Sequence, residues 1–231
     1  MLKKILIYNS GGGLGDTIQL FPLILSLKNH FKSSDFYYLG AHKNHFLGKL
    51  KKYNIDIKTL NLGLKYFGFR WWHLLILKKK IKEYKIEKFD LIIDLQSKIR
   101  NSLILKLLPH KNFISPCLNF KLSKPKLNIE KEKKISNTII KSLNFIYNMD
   151  CKINEFDMNT INKKFFTESE KLLPKNNYVG FSITQGNVYR KKELPLNNIV
   201  SLCSIFKKAN KTPVFFIEKK NKDLKNKIQK L

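Results

Sequence analysis

The chain is 231 residues long with 43% hydrophobic content, enough for a real core in one large domain or two small ones. No uninterrupted apolar run approaches the ~20 residues of a membrane span, and the three cysteines, Cys117, Cys151 and Cys203, lie far apart with no metal-ligand spacing. Lys and Arg number 45 against 17 Asp and Glu, and the net charge of +28 points to an anionic partner: nucleic acid, an acidic membrane face or a phosphorylated substrate.

Residues 5–8 read as a buried strand, and the glycine-rich segment that follows leads into a helix over 18–31 with apolar positions Leu20, Leu23, Ile24 and Leu27. A second short strand is expected at 36–39, a helix at 45–52 and a third strand at 55–59. Residues 61–70 form a loop fit to border a cleft, and 71–84 a helix with apolar positions Trp72, Leu75 and Ile76 and a lysine-rich outer face. The run 89–96 is the clearest buried strand; a helix follows over 97–108, ended by Pro109, then a short strand at 112–114. The stretch 116–129 reads as loop and 131–148 as the helix that closes the first domain. After a connection over 151–177 come a strand at 178–183, a helix at 196–209, a strand at 214–217 and a charged helix at 220–231. Strands alternating with helices imply a parallel sheet covered on both faces. The division is therefore 1–150, a first domain; 151–177, a connection; and 178–231, a second α/β unit too small to cover its own sheet. A complete partner domain needs roughly 100 residues, so the chain reads as cut short.

The segment Tyr8-Asn9-Ser10-Gly11-Gly12-Gly13-Leu14-Gly15-Asp16-Thr17 carries the chemistry. Strand, glycine turn and helix start bring backbone N–H groups close to a ligand. A dinucleotide fingerprint needs its third glycine where Asp16 stands, and a P-loop needs Gly-Lys-Ser/Thr where Gly15-Asp16-Thr17 stands. A carboxylate there suits a group that takes a proton from a hydroxyl. The bland alternative makes Asp16 or Thr17 a helix cap.

The basic excess is almost entirely lysine, scattered through a chain also rich in Asn, Ile and Phe, so biased base composition is read as its main source. Unpaired thiols fit a reducing compartment, and the three apolar residues after Lys3-Lys4 are too few for a signal-peptide core, so a cytoplasmic protein is expected.

Three segments carry a family resemblance. Residues 5–27 are similar to the opening strand, S-x-L-G-D turn and T-x-P-x-L-x-x-L helix of glycosyltransferase family 9, the ADP-heptose:lipopolysaccharide heptosyltransferases. Phe89-Asp90-Leu91-Ile92-Ile93-Asp94-Leu95-Gln96 with Arg100-Asn101-Ser102 resembles that family's "yDlviDlqg…rs" segment. Gly186, Lys192 and Pro195 fall in register with its "hPGas…K.WP" segment. The order and spacing match over essentially the whole chain.

The resemblance implies a GT-B-like α/β fold: an N-terminal Rossmann-like parallel-sheet domain for the acceptor and a second, here incomplete, Rossmann-like domain for the nucleotide sugar. It implies an inverting glycosyltransferase that moves a heptose from ADP-heptose to a lipopolysaccharide core acceptor, without cofactor or metal, at the inner face of the inner membrane. Asp16 matches the general base. Lys192 matches a lysine on the donor diphosphate, where an ammonium stabilises the leaving group's growing charge. Thr184, Gly186 and Asn187 line the same loop as donor contacts. Gly13, Gly15, Thr17, Gln96 and Arg100 are the acceptor-side candidates, Arg100 toward an acceptor phosphate.

Departures stand beside the match. Thr184 and Gln185 replace the His-Pro of the third motif, Leu194 its tryptophan, and Glu218-Lys219 a usual glycine pair; no late D-x-G-x-x-H segment is present. The donor site is thus expected to be half-built, and an inactive fragment of the transferase is one alternative. Another is a non-catalytic basic protein that binds nucleic acid or a membrane surface. No nucleic acid is expected, since no aromatic-and-basic binding motif occurs. His42, His45 and His73 lack metal spacing, Trp71 and Trp72 read as core or cleft wall, and Asp94 as a residue that caps or orients the next helix.

Overall fold

The computed structural model describes residues 2–10, 13–40, 44–53, 55–62, 64, 69–154, 162–183, 195–218 and 221–229. Contacts divide the chain into two units, Met1–Phe156 and Asp157–Leu231.

The first unit is built on five parallel strands: β1 (Lys4–Asn9), β2 (Asp35–Gly40), β3 (Lys58–Thr59), β4 (Phe89–Asp94) and β5 (His110–Ile114), in the order β3-β2-β1-β4-β5. β1 is central, with Asn9 opposite Gly40 on one side and Tyr8 opposite Asp94 on the other. Successive residues of a strand face opposite sides, and both sides are apolar here. Ile5, Ile7, Leu91 and Ile93 enter one core with Leu23, Ile24 and Leu27 of α2 (Phe21–His30) and Ile139, Ile140 and Leu143 of α5 (Ile135–Tyr147). Leu6, Tyr8, Ile92 and Phe113 enter the other with Leu77 of α3 (His73–Glu83) and Ile104 and Leu105 of α4 (Ile99–Leu105). Each such aliphatic side chain contributes roughly 1.5–3 kcal/mol by leaving water, which is why the continuous apolar runs of β1 and β4 specify the centre of a covered sheet.

Three expectations need correction. The helix expected over 18–31 is two: α1 (Leu14–Ile18) and α2, which restarts with Pro22 in its first turn. Proline lacks an N–H and disfavours helical backbone at the residue before it, so a continuous helix cannot run through this point. Residues 45–50 form turns and Lys51–Tyr53 a short 3-10 turn instead of an α-helix. Buried Asn44 offers Oδ1 to the Phe46 N–H at 3.0 Å and donates from Nδ2 to Thr59 Oγ1 at 3.0 Å, a side-chain alternative to helical bonding. In α3 the inner face is His73 and Leu77, whereas Trp72, Leu75 and Ile76 face solvent. The run Leu74-Leu75-Ile76-Leu77 is apolar around the whole helix, so its periodicity does not say which side turns inward.

The second unit contains α6 (Lys163–Leu172), β6 (Tyr178–Ser182), α7 (Leu196–Lys208), β7 (Thr212–Phe216) and α8 (Lys222–Gln229). β6 and β7 pair in parallel, with Gly180 opposite Val214. Phe181 stacks on Phe215 at 5.1 Å and meets Phe206 of α7 edge-on at 5.8 Å. Among the described residues this sheet has two strands, and the helix α6 lies inside the segment read from sequence as a plain connection.

Candidate active site

The strand order reverses direction at β1: its crossover to β2 carries α1 and α2 on one face, while β4 on its other side is flanked by α3 and α4 on the opposite face. The connections that leave β1 and β4 therefore part to opposite faces at the carboxyl ends of the strands, the place where open α/β sheets bind ligands. The glycine turn and the Asp94–Arg100 segment both leave the sheet at this edge.

Asp16 is exposed in the first turn of α1. Its Oδ2 accepts the Gly13 N–H at 3.2 Å, the reciprocal half of a capping box in which Gly13 is the N-cap. Gly13 has ordinary extended backbone, so its value lies in space: a Cβ there stands 3.1 Å from Asp16 Oδ2. Gly15 is different, lying within α1 with nothing within 4 Å of an added Cβ. It is a helical residue. Thr17 is buried, with its hydroxyl donating to the Gly13 carbonyl at 3.1 Å. That bond braces the start of α1.

Under the turn sits a polar lattice that the motif alone did not reveal. The Tyr38 hydroxyl bonds toward the side chains of Thr17 and Asn9, and burial raises its pKa above the ordinary phenol value. Asn9 Oδ1 accepts Gln96 Nε2 at 3.0 Å, tying the end of β1 to the end of β4. The Gln96 N–H in turn donates to Asp94 Oδ1 at 2.9 Å. Asp94 is fully buried; Ser102 Oγ donates to its Oδ2 at 2.5 Å and Ser115 Oγ at 2.8 Å. Burial outweighs these three bonds and lifts the Asp94 carboxyl from 3.8 to about 6. Asp94 thus orients the residues after β4, and Gln96 reaches the site by its backbone and side chain together.

Arg100 lies half-buried in the first turn of α4, and its Nε has no hydrogen-bond partner among the described residues. The buried Tyr8 hydroxyl also lacks one by strict geometry, though it lies toward Ser10. Burial, with the Asp94 charge second, raises the Tyr8 pKa, and burial followed by the Arg100 and Arg70 charges lowers that of His73. Tyr8, His73 and Arg100 are therefore neighbours on the α3/α4 side of the sheet. Sequence reading missed Asn9, Tyr38, Tyr8, Ser102 and Ser115. A polar residue closing each apolar strand (Asn9, Asp94, Ser115) was the available signal.

Thr184, Gly186, Asn187 and Lys192 lie outside the described residues. Among the described residues no group of three or more His, Cys, Asp or Glu side chains is placed to hold a metal ion, and no helix is long and apolar enough to cross a membrane.

No protein-family model and no curated protein matches the chain. Solved structures do. A glycosyl transferase of family 9 from Veillonella parvula superposes with a TM-score of 0.51 at 18% identity, over 96% of this chain and 64% of that one. An E. coli heptosyltransferase solved with ADP-2-deoxy-2-fluoro heptose gives 0.54 at 13% identity, over 93% and 69%. A UDP-GlcNAc 2-epimerase from Methanocaldococcus jannaschii gives 0.50 at 15% identity, over 96% and 67%. The chain spans about two thirds of the length of these structures. Its fold is α/β and GT-B-like, with a Rossmann-like parallel sheet in the N-terminal unit.

Proposed function

We propose that the protein is a glycosyltransferase of the heptosyltransferase type, and that it moves a heptose from ADP-heptose to a lipopolysaccharide core acceptor. The observation that carries this reading is the exposed Asp16 carboxylate at the carboxyl edge of the central strand, where the strand order reverses. The shared fold with transferases solved as such supports it. Asp16 takes the proton of the acceptor hydroxyl as that oxygen attacks the anomeric carbon. The bond from that carbon to the ADP oxygen breaks, and configuration inverts without a metal ion. Gly13 and Gly15 bring backbone to the acceptor, Gln96 and Arg100 hold its polar and phosphate groups, and Lys192 with Thr184, Gly186 and Asn187 receives the departing diphosphate. The enzyme works in the cytoplasm, at the inner face of the inner membrane.

Asp16→Asn tests the reading cleanly. Asparagine retains an oxygen for the Gly13 N–H, so the cap survives while the base is lost. ADP release from ADP-heptose in the presence of a heptose-accepting core should fall roughly 100- to 10,000-fold, the range of general-base catalysis, with unchanged circular dichroism. Full turnover by the variant returns Asp16 to a capping role. No glycosidic product from the unaltered chain favours the non-catalytic or inactive-fragment alternatives. The epimerase fold-mate supplies a further control, because an epimerisation consumes no acceptor: conversion of the donor to an epimeric nucleotide sugar without release of ADP favours epimerisation over transfer.

A further inference from the structure

The least expected surface of the first unit is the start of α3. Leu75 is 80% exposed, Trp71 53%, Trp72 50% and Ile76 39%. Large apolar side chains grouped on one outward face mark a contact surface on a protein in water. At 100° per residue, Trp71, Trp72, Leu75, Lys78, Lys79 and Lys82 share that face. Its first turn is apolar, and its later turns are the exposed lysines Lys78, Lys79 and Lys82, with Arg70 exposed just ahead of the tryptophans. Among the described residues none of these three lysines pairs with a carboxylate, whereas Lys80 is engaged by Glu83 at 3.0 Å. Aromatic and aliphatic side chains at one end and unpaired ammonium groups about a turn away fit the layering of a bilayer surface, where rings sit at headgroup depth and cations meet phosphate.

The face also has a direction. α3 crosses back to a parallel strand, so its first turn lies at the carboxyl edge of the sheet. Phe69 stacks on Tyr8 at 5.1 Å near the end of β1, and His73 feels the charge of Arg100. The exposed apolar turn therefore lies at the carboxyl edge of the sheet, the same edge from which the Asp16 turn leaves β1.

From this geometry we infer that Trp71, Trp72, Leu75 and the Lys78–Lys79–Lys82 cluster form a docking surface for an anionic lipid bilayer, which brings a lipid-borne acceptor to that edge. Only the delivery of acceptor rests on the transferase reading; the docking stands by itself. Charge complementarity selects the occupant, since a second copy of this chain presents the same cations and repels them.

The chain supplies its own probe, because Trp71 and Trp72 are its two tryptophans. Mixing with vesicles of phosphatidylcholine and phosphatidylglycerol should shift tryptophan emission to the blue, and brominated lipid should quench it. Vesicles of phosphatidylcholine alone should do neither. Leu75→Glu should weaken partitioning roughly tenfold or more, as expected from withdrawing one buried leucine. Lys78→Gln, Lys79→Gln and Lys82→Gln together should weaken it on the order of 100-fold at low salt, at about fivefold per cation. Lys207→Gln, Lys208→Gln and Lys211→Gln, which remove the same charge from the second unit, should leave it unchanged.

Equal loss in the two lysine triples overturns the proposal in favour of diffuse charge. So does vesicle binding without quenching, which puts the contact elsewhere. A blue shift that grows with protein concentration alone, together with a dimer mass, assigns the face to a second copy. Asp16→Asn should dock like the unaltered chain. A protein that docks but transfers nothing keeps this surface and loses the transferase reading.

Discussion

Asp94→Asn reads out the buried network at the carboxyl edge of the sheet. A fully buried carboxyl raised from 3.8 to about 6 ionises less readily in the folded chain than in the unfolded one. Its contribution to stability is therefore complete below 3.8 and is lost as pH rises through about 6. At about 1.4 kcal/mol per tenfold change in proton affinity, the loss between those limits is about 3 kcal/mol. Asparagine cannot titrate, and it still accepts the Gln96 N–H through its oxygen. Its amide cannot accept both serine hydroxyls, which adds a pH-independent offset of about 1–3 kcal/mol. The diagnostic quantity is thus the change with pH. Between pH ~4 and ~7 the stability difference should move about 2.4 kcal/mol in favour of the Asp94→Asn variant. Buried His73 and half-buried His110, both lowered by burial, titrate alike in the two proteins and cancel. Urea unfolding followed by tryptophan emission is the assay, because both tryptophans belong to the first unit and report its opening without the second. Parallel curves for the two proteins across that range would refute the reasoning, since they require an Asp94 that ionises as it does in water.

Gly13 and Gly15 should separate. Gly13→Ala presses a methyl against Asp16 Oδ2 and should lower turnover with the fold intact, whereas Gly15→Ala enters open space in a helix and should stabilise by up to ~1 kcal/mol; paired kinetics and thermal melts check both. Leu23→Ala empties a fully buried site between α2 and the sheet and should cost about 2–5 kcal/mol in urea unfolding.

The sheet was legible because β1 and β4 are nearly unbroken apolar runs, and only a strand covered on both faces uses that pattern. α2 was legible for a related reason: Leu20, Leu23, Ile24 and Leu27 leave no choice of inner face. α3 offered four apolar residues in a row, and the choice of His73 and Leu77 for the interior came from the α4 and Tyr8 surfaces it meets, which local periodicity does not contain. Within the site, Asp16 stood out because it occupies a position where phosphate-binding loops have glycine or lysine. Its supports did not stand out. Asn9 and Tyr38 come from β1 and β2 and Gln96 from just past β4, far apart in sequence, and such a meeting is a property of strand order alone.

The capping and catalytic readings of Asp16 compete less than they first did. A carboxylate offers about four lone-pair sites, and the Gly13 N–H occupies one of them at 3.2 Å. The bond that caps α1 also fixes the rotamer, and fixed orientation is what a base needs, since a misplacement of about 1 Å costs on the order of 100-fold in rate. Behind the turn, the Thr17 hydroxyl holds Gly13, Tyr38 backs Thr17 and Asn9, and Gln96 locks Asn9 to the strand that ends in Asp94. A helix cap alone needs none of that reinforcement, because capping tolerates Ser, Thr, Asn or Asp with differences of about 1 kcal/mol. Gln96→Ala separates the two roles: it leaves the Gly13–Asp16 cap in place but releases Asn9. A drop in kcat at saturating acceptor without a drop in melting temperature identifies the lattice as positioning machinery for Asp16; a rise in the acceptor KM alone leaves Gln96 an acceptor contact, and a drop in stability alone assigns it to the fold.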